Sequence, residues 1–280
     1  MDIDFLSANF ELIDDIWHAK SANTVSYPSD GNDMFFQIED LSYWFKHRNN
    51  CIIELIKMFH FKQLFYDIGG GNGFVSMGLQ NAGIESVLIE PGLQGVKHAK
   101  SRGVKNIVCA SLEEMCLEKG VIPSAGIFDV LEHIEDDLSF LKNIYSYLKD
   151  QGKFIITVPA YNFLWSKEDI DAGHYRRYTL NDLSRKVESA GFKINYATYL
   201  FSVLPAPIYF LRSLPYKLKI KKHTHNLKKY TNEHSSSGVL NFVFEKTFEK
   251  ELEIIKKFRK INFGSSCLII AEKQSNGTNF

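Results

Sequence analysis

The sequence predicts an α/β protein: one mostly parallel sheet with helices packed on both faces. Three observations predict it. Between residues 63 and 199, short apolar runs alternate with segments whose apolar residues recur at helical spacing, and strands joined through helices lie parallel. The first apolar run ends in a glycine-rich turn, Gly69-Gly70-Gly71-Asn72-Gly73, that opens into a helical segment. Finally, 280 residues, 45% hydrophobic and 24% charged, suffice for one full core that buries about 75% of the unfolded chain's surface. The same composition excludes a disordered or collagen-like chain.

Taken in order, residues 1–60 read as a helical cap, because Leu41, Trp44, Phe45, Ile52 and Ile56 fall at helical spacing. A strand at 63–68 runs into the glycines, and a helix follows at 73–82. The strand at 86–89 ends in Glu90-Pro91. Gly103 stops the helix at 94–102. Strands are expected at 106–110 and 125–129. The helix at 136–148 has an acidic first turn, which suits the positive end of its dipole. A β-branched run at 152–158 is closed by Pro159. Thr179 caps the helix at 180–190 and Gly191 stops it. Strands at 193–199 and 266–271 complete the sheet. The long insertion before the last strand begins apolar, turns basic at 217–229, passes a His-Ser-Ser-Ser-Gly loop and ends in an amphipathic helix at 242–258. The predicted organisation is a helical cap (1–60), a core (61–200), a lid or substrate insertion (201–263), the last core strand (264–273) and a frayed tail (274–280).

Thirty-three basic residues balance thirty-three acidic ones, so no global field gathers nucleic acid, and none is expected as a partner. Cys51, Cys109, Cys116 and Cys267 lack the close pairing of a zinc or redox motif. With an acidic N-terminus unlike a secretory leader, they fit free thiols in a cytoplasmic protein. No metal site is expected: His223, His225 and His234 sit in a basic stretch without nearby carboxylates. The longest apolar stretch, 199–211, is too short to span a bilayer and contains Pro205 and Pro207.

The glycine turn carries the chemistry. A dinucleotide fingerprint would need glycine at 74, where Phe74 stands; the spacing is G-x-G-x-G. Asp67, just before the turn, would repel a pyrophosphate, which such turns hold with bare N–H groups. It suits a ligand with cationic groups. S-adenosylmethionine has a sulfonium, an ammonium and no phosphate. Glu90 lies nineteen positions after Gly71, at the end of the second strand, where an acid can accept both ribose hydroxyls. An NAD-dependent oxidoreductase is disfavoured by Asp67 and Phe74.

Further motifs accompany the turn: Ser42-Tyr-Trp-Phe-Lys-His-Arg-Asn49, Phe128-Asp-Val-Leu-Glu-His133, Thr157-Val-Pro-Ala160, Leu164-Trp-Ser-Lys-Glu-Asp169, Gly173-His-Tyr-Arg-Arg-Tyr-Thr179 and Phe263-Gly-Ser-Ser-Cys267. With them the sequence resembles the class I S-adenosylmethionine-dependent methyltransferases, and is most similar to the bacterial type 11/12 group near the quinone-biosynthesis branch. The resemblance covers most of the chain. It implies a Rossmann-like sheet of seven strands, the last antiparallel, and methyl transfer from the sulfonium. It implies a cofactor site of Asp67, Gly69, Gly70, Gly71, Asn72, Gly73, Glu90, Pro91, Phe128 and Asp129. Where many relatives place an Asp on the adenine amino group, this sequence has Cys109-Ala-Ser-Leu-Glu113, so Ser111, or backbone at Ser111 and Leu112, would serve.

Several residues carry two readings. His133, after the fourth core strand, is a general base or a helix-start residue; Glu132 reads as structural. Asp169 and His174 are a carboxylate–imidazole base pair or part of a salt-bridged loop. Trp165, Arg176 and Tyr178 are expected to contact the acceptor, and Arg177 to bridge within the loop. Trp44 and Arg48, one turn apart, either close over the cofactor and meet its methionine carboxylate or form the core and rim of a helix. The insertion is a lid or a weak membrane-surface contact. The expected activity is methylation of a small-molecule acceptor, at oxygen or nitrogen rather than carbon. A non-catalytic cofactor-binding subunit and a membrane-surface enzyme for a lipid-linked substrate stay open beside it.

Overall fold

The computed structural model of the chain describes residues 9–20, 33, 36–61, 64–220 and 239–275. Its strands are β1 (Phe10–Ile13), β2 (Ile16–Ala19), β3 (Phe65–Ile68), β4 (Ser86–Ile89), β5 (Ile107–Cys109), β6 (Ile122–Phe128), β7 (Leu148–Pro159), β8 (Phe192–Leu200) and β9 (Ser266–Lys273). They form one sheet in the order β1-β2-β5-β4-β3-β6-β7-β9-β8. The strands from β5 through β7 are parallel, and β9 slots antiparallel between β7 and β8. From β3 the chain steps outward to β4 and β5, then returns to β3's other side as β6. The carboxyl ends of β3, β4 and β6 therefore flank the point where strand order reverses, where ligands bind in open α/β sheets.

Among the described residues the sheet has nine strands where seven were expected, and a hairpin stands at 10–19 where 1–60 reads as helical. The two-residue turn explains the difference. Asp14 and Asp15 both adopt positive φ, 50° and 56°, as a tight hairpin turn requires, and Asp tolerates that region. Strand β2 then pairs in parallel with β5, Trp17 opposite Val108. This buries Phe10 and Ile16.

Helix α1 (Tyr43–Met58) starts at Ser42, whose hydroxyl accepts the Trp44 N–H at 3.2 Å, and buries Cys51, Ile52, Leu55 and Ile56. Helices α2 (Phe74–Asn81), α3 (Leu93–Arg102) and α4 (Asp137–Tyr147) follow β3, β4 and β6. A short α5 (Lys167–Asp171) and α6 (Leu180–Ser189) separate β7 from β8. The insertion forms α7 (Pro205–Ile208), a π-helical turn (Tyr209–Ser213), α8 (Leu214–Lys217) and α9 (Val239–Lys256). The Ser213 hydroxyl donates to the Leu164 carbonyl at 2.8 Å, tying the first part of the insertion to the loop after β7. Helix α9 packs on α1 through Phe248 against Tyr43 and His47. Among the described residues no helix is long and apolar enough to cross a membrane. The basic stretch with Lys221, His223, His225 and His234 lies outside the described residues, as do 276–280 of the tail.

Candidate active site

Asp67, next to last in β3, has no exposed surface. Its Oδ2 accepts the Ser76 hydroxyl at 2.7 Å, while Oδ1 has no hydrogen-bond partner. Burial pushes its carboxyl up to about 6, against the pull of Ser76 and Arg48. The glycine turn then wraps the Glu90 carboxylate. Oε2 accepts the Gly71 N–H at 2.9 Å and Oε1 the Gly92 N–H at 2.7 Å. Gly71, at φ 52°, has nothing within 4 Å of where a Cβ would stand, so a ligand can approach the backbone there. Gly73 starts α2 in the left-handed region, and a Cβ on it would meet Ala99 of α3 at 2.7 Å.

Asn72 faces the N-terminal segment. Its side chain donates to Glu39 at 3.3 Å and contacts the His98 ring at 3.0 Å. Arg102 bridges Glu39 at 2.7 Å and donates to the Asn72 carbonyl at 3.2 Å. Glu39, His98 and Arg102 thus hold the turn from behind. The sequence offered no signal for them, since their spacing marks only helix surfaces.

Helix α1 brings Trp44 and Arg48 together at the same edge. The Arg48 guanidinium lies 4.6 Å over the Trp44 ring and donates to Asp129 Oδ2. Trp44 also stacks on Phe201 at 5.2 Å. Asp129 follows Phe128 at the end of β6 with φ 58°. At the end of β5, Ser111 forms a local turn: its N–H donates to Glu114 at 2.7 Å, and its hydroxyl accepts the Glu114 N–H at 3.2 Å. The Ser111 N–H is therefore already engaged, and Leu112 is buried. Pro91 stands between Glu90 and Gly92, half-buried.

The polar loop after β7 folds around Asp169. Asp169 is buried and caps α5 in a box with Ser166. Arg177 grips it in two bonds, Nε to Oδ1 at 2.6 Å and NH2 to Oδ2 at 3.0 Å. The Nδ1 of His174 lies 2.9 Å from Oδ1. Burial opposes ionisation of this carboxyl, but the hydrogen bonds and the Arg177 charge win and hold it at about 2. The His174 ring meets His133 edge-on at 4.7 Å. Burial and the neighbouring His174 push the His133 imidazole down to about 4. Glu132 is buried, and burial plus the Asp129 charge push its carboxyl upward. The two histidines proposed as alternative bases are thus neighbours.

Two residues expected at the acceptor have partners within the fold. The Tyr178 ring is buried, and its hydroxyl donates to Asp137 at 2.9 Å, so it cannot touch a substrate. Arg176 turns to the start of α4, reaching the Ile134 and Glu135 carbonyls at 3.1 and 2.7 Å and Asp137 at 2.8 Å. Trp165 is half-buried beside Ser166.

Residues 65–197, from the first residue of β3 into β8, match the family model described as a methyltransferase domain. A comparison with curated protein sequences yields no match. Among solved structures, an S-adenosylmethionine-dependent methyltransferase of Thermotoga maritima, described as a possible histamine N-methyltransferase, is similar at 15% identity and a TM-score of 0.54. The likeness covers 88% of this chain and 95% of that one. Phosphoethanolamine N-methyltransferase 2 of Haemonchus contortus, solved with phosphomonomethylethanolamine and S-adenosylhomocysteine, is similar at 16% identity and a TM-score of 0.55. Here 90% of this chain is covered, and 58% of the other. The residues fit the cofactor: a buried carboxylate with an unpartnered oxygen beside the turn suits a cationic ligand, and bare backbone at Gly71 admits it. Residues 65–197 thus match a methyltransferase domain, and the chain's fold is that of S-adenosylmethionine-dependent methyltransferases.

Proposed function

We propose that the enzyme methylates an oxygen or nitrogen of a small-molecule acceptor in the cytoplasm. One observation carries the reading. The cofactor turn and Glu90 stand at the ends of β3 and β4, and Glu132, His133 and His174 gather just past the end of β6, across the point where strand order reverses. An oxygen or nitrogen nucleophile must shed a proton as it is methylated, and this trio is the titratable group on the acceptor's side. A carbon acceptor would instead need an activated enolate or ring. The N-methyltransferases among the similar structures support a heteroatom acceptor.

Bound S-adenosylmethionine supplies an electrophilic methyl group on a sulfonium. The chain's own residues bind and orient. Each Glu90 oxygen accepts one backbone N–H and keeps a lone pair for a ribose hydroxyl. Asp67 offers its unpartnered oxygen to the ligand's cationic end. Trp44, Arg48, Phe128 and Asp129 close the opposite side, with the backbone at Leu112 toward the adenine. Asp169 and Arg177 lock the loop that presents His174, and Trp165 walls the acceptor. Holding the nucleophile in line with the methyl group supplies much of the acceleration. The four free thiols suit a reducing compartment.

The test feeds methyl-labelled S-adenosylmethionine and the purified enzyme to a metabolite extract and identifies the product by NMR. The label is expected on an oxygen or nitrogen of one small molecule. Label on carbon alone, or only on macromolecules, would overturn the reading.

A further inference from the structure

Glu132, His133 and His174 each offer a ligand atom, and these atoms lie within 4.8 Å of one another. Glu132 and His133 sit on the 3-10 turn Leu131–His133 after β6, while His174 arrives from the loop after α5. Glu132 is 1% exposed, yet its Oε2 has no hydrogen-bond partner. A buried carboxylate oxygen left unpaired is costly, and such a group calls for an explanation.

We propose that Glu132, His133 and His174 bind a divalent transition-metal cation of the zinc type. Two imidazoles and one carboxylate are a recognised zinc donor set, and three protein ligands leave a fourth position open. Donor atoms around a tetrahedral cation lie about 3.3 Å apart, so the trio closes on an ion by shifting about an ångström. The surroundings of the trio are those of a ligand set. The His174 Nδ1 is taken by Asp169 Oδ1 at 2.9 Å, which keeps the proton on Nδ1 and leaves Nε2 with a lone pair. Asp169 is itself fixed by two bonds from Arg177 and by the Ser166 cap. Backbone groups of Gly173 and Ala172 hydrogen-bond to His133. A metal-binding histidine characteristically spends its other nitrogen in this way. A cation here would meet the unpartnered Glu132 oxygen. If the methyl-transfer reading holds, an acceptor hydroxyl in the open position would be acidified.

The test uses the full chain and no turnover, so it stands apart from the methyl-transfer assay. Chelator-stripped protein is titrated with Zn²⁺ by calorimetry, and Co²⁺ is added separately for its visible d–d bands. One equivalent of Zn²⁺ per chain is expected. His174→Ala and Glu132→Gln should each weaken binding at least tenfold and abolish the cobalt bands, while S-adenosylhomocysteine affinity stays unchanged. Asp169→Asn, a positioning change, should weaken Zn²⁺ by roughly 10- to 100-fold with every ligand in place. Circular dichroism checks that the variants fold; where Glu132→Gln does not, His174→Ala decides. The proposal is overturned by the absence of stoichiometric Zn²⁺ binding, or by binding that survives His174→Ala at full strength, since the ion would then sit elsewhere.

Discussion

Glu90 does two things at once, which sets what its loss should cost. Its carboxylate holds the Gly71 and Gly92 N–H groups and, in the proposed site, the ribose hydroxyls. A hydrogen bond to a charged group is worth roughly 1.5–3 kcal/mol. Glu90→Ala should therefore lower S-adenosylmethionine affinity by at least tenfold, read by calorimetry on folded protein; an unchanged Kd would remove Glu90 from the ribose. Asp67 gives a pH signature. Its carboxyl, raised to about 6 by burial, carries a proton below that pH and a charge above it. A cationic ligand prefers the charged form, so affinity should fall as pH drops through about 6 and level off above it. Asp67→Asn should bind weakly with a flat profile, and a wild-type profile flat from pH 5 to about 7 would contradict the assignment. His174→Ala should cost about 10²-fold or more in turnover, the scale for losing a group that handles a proton, with cofactor affinity nearly unchanged. His133→Ala is the matched comparison. If neither slows turnover, the trio takes no part. These residues were legible because a carboxylate before a glycine turn, and an acid and a histidine five positions apart, carry chemistry in their spacing. Tyr178 and Arg176 were not. Both pair with Asp137, some forty positions back, and no local pattern reveals which way a polar side chain turns.

Beside the packing of Phe248, one buried carboxylate ties helix α9 to the rest of the chain. Glu251 is buried and meets His47 of α1 at 3.0 Å, and it accepts the Phe201 N–H at 2.9 Å and the Ser202 N–H at 2.5 Å. Phe201, at φ 61°, is held in the left-handed region and stacks on Trp44. The same carboxylate thus ties the insertion to the helix that carries Trp44 and Arg48. Removing one partner from a buried pair costs about 3–5 kcal/mol. Glu251→Ala should lose stability on that scale in urea unfolding, and a loss below about 1 kcal/mol would show that packing alone holds α9. The helix itself was legible from its apolar spacing, three residues off at its start and two at its end. Its fastening was not, because Glu251 looks like any acid on an amphipathic helix. The β1–β2 hairpin was missed for the opposite reason. Asp14-Asp15 makes the turn without glycine, and four-residue strands leave too short a pattern to separate from a helix.

Across the whole molecule, the seven strands between 63 and 271 could be read because strands buried on both faces, as the five parallel ones are, form nearly continuous apolar runs. In the structure these five strands stand in the order β5-β4-β3-β6-β7. That order brings Asp67, the glycine turn, Glu90 and Asp129 to one edge although they span sixty-two positions of sequence. The edge hairpin and the docking of α9 lay beyond sequence pattern, since both depend on surfaces that exist only once the sheet has formed. The function of the molecule depends on what that edge binds. Parallel calorimetric titrations of the full chain with S-adenosylmethionine, S-adenosylhomocysteine and NAD test it most directly. One equivalent of each adenosyl ligand should bind, with no heat from NAD at the same concentration; NAD binding without S-adenosylmethionine binding would contradict it.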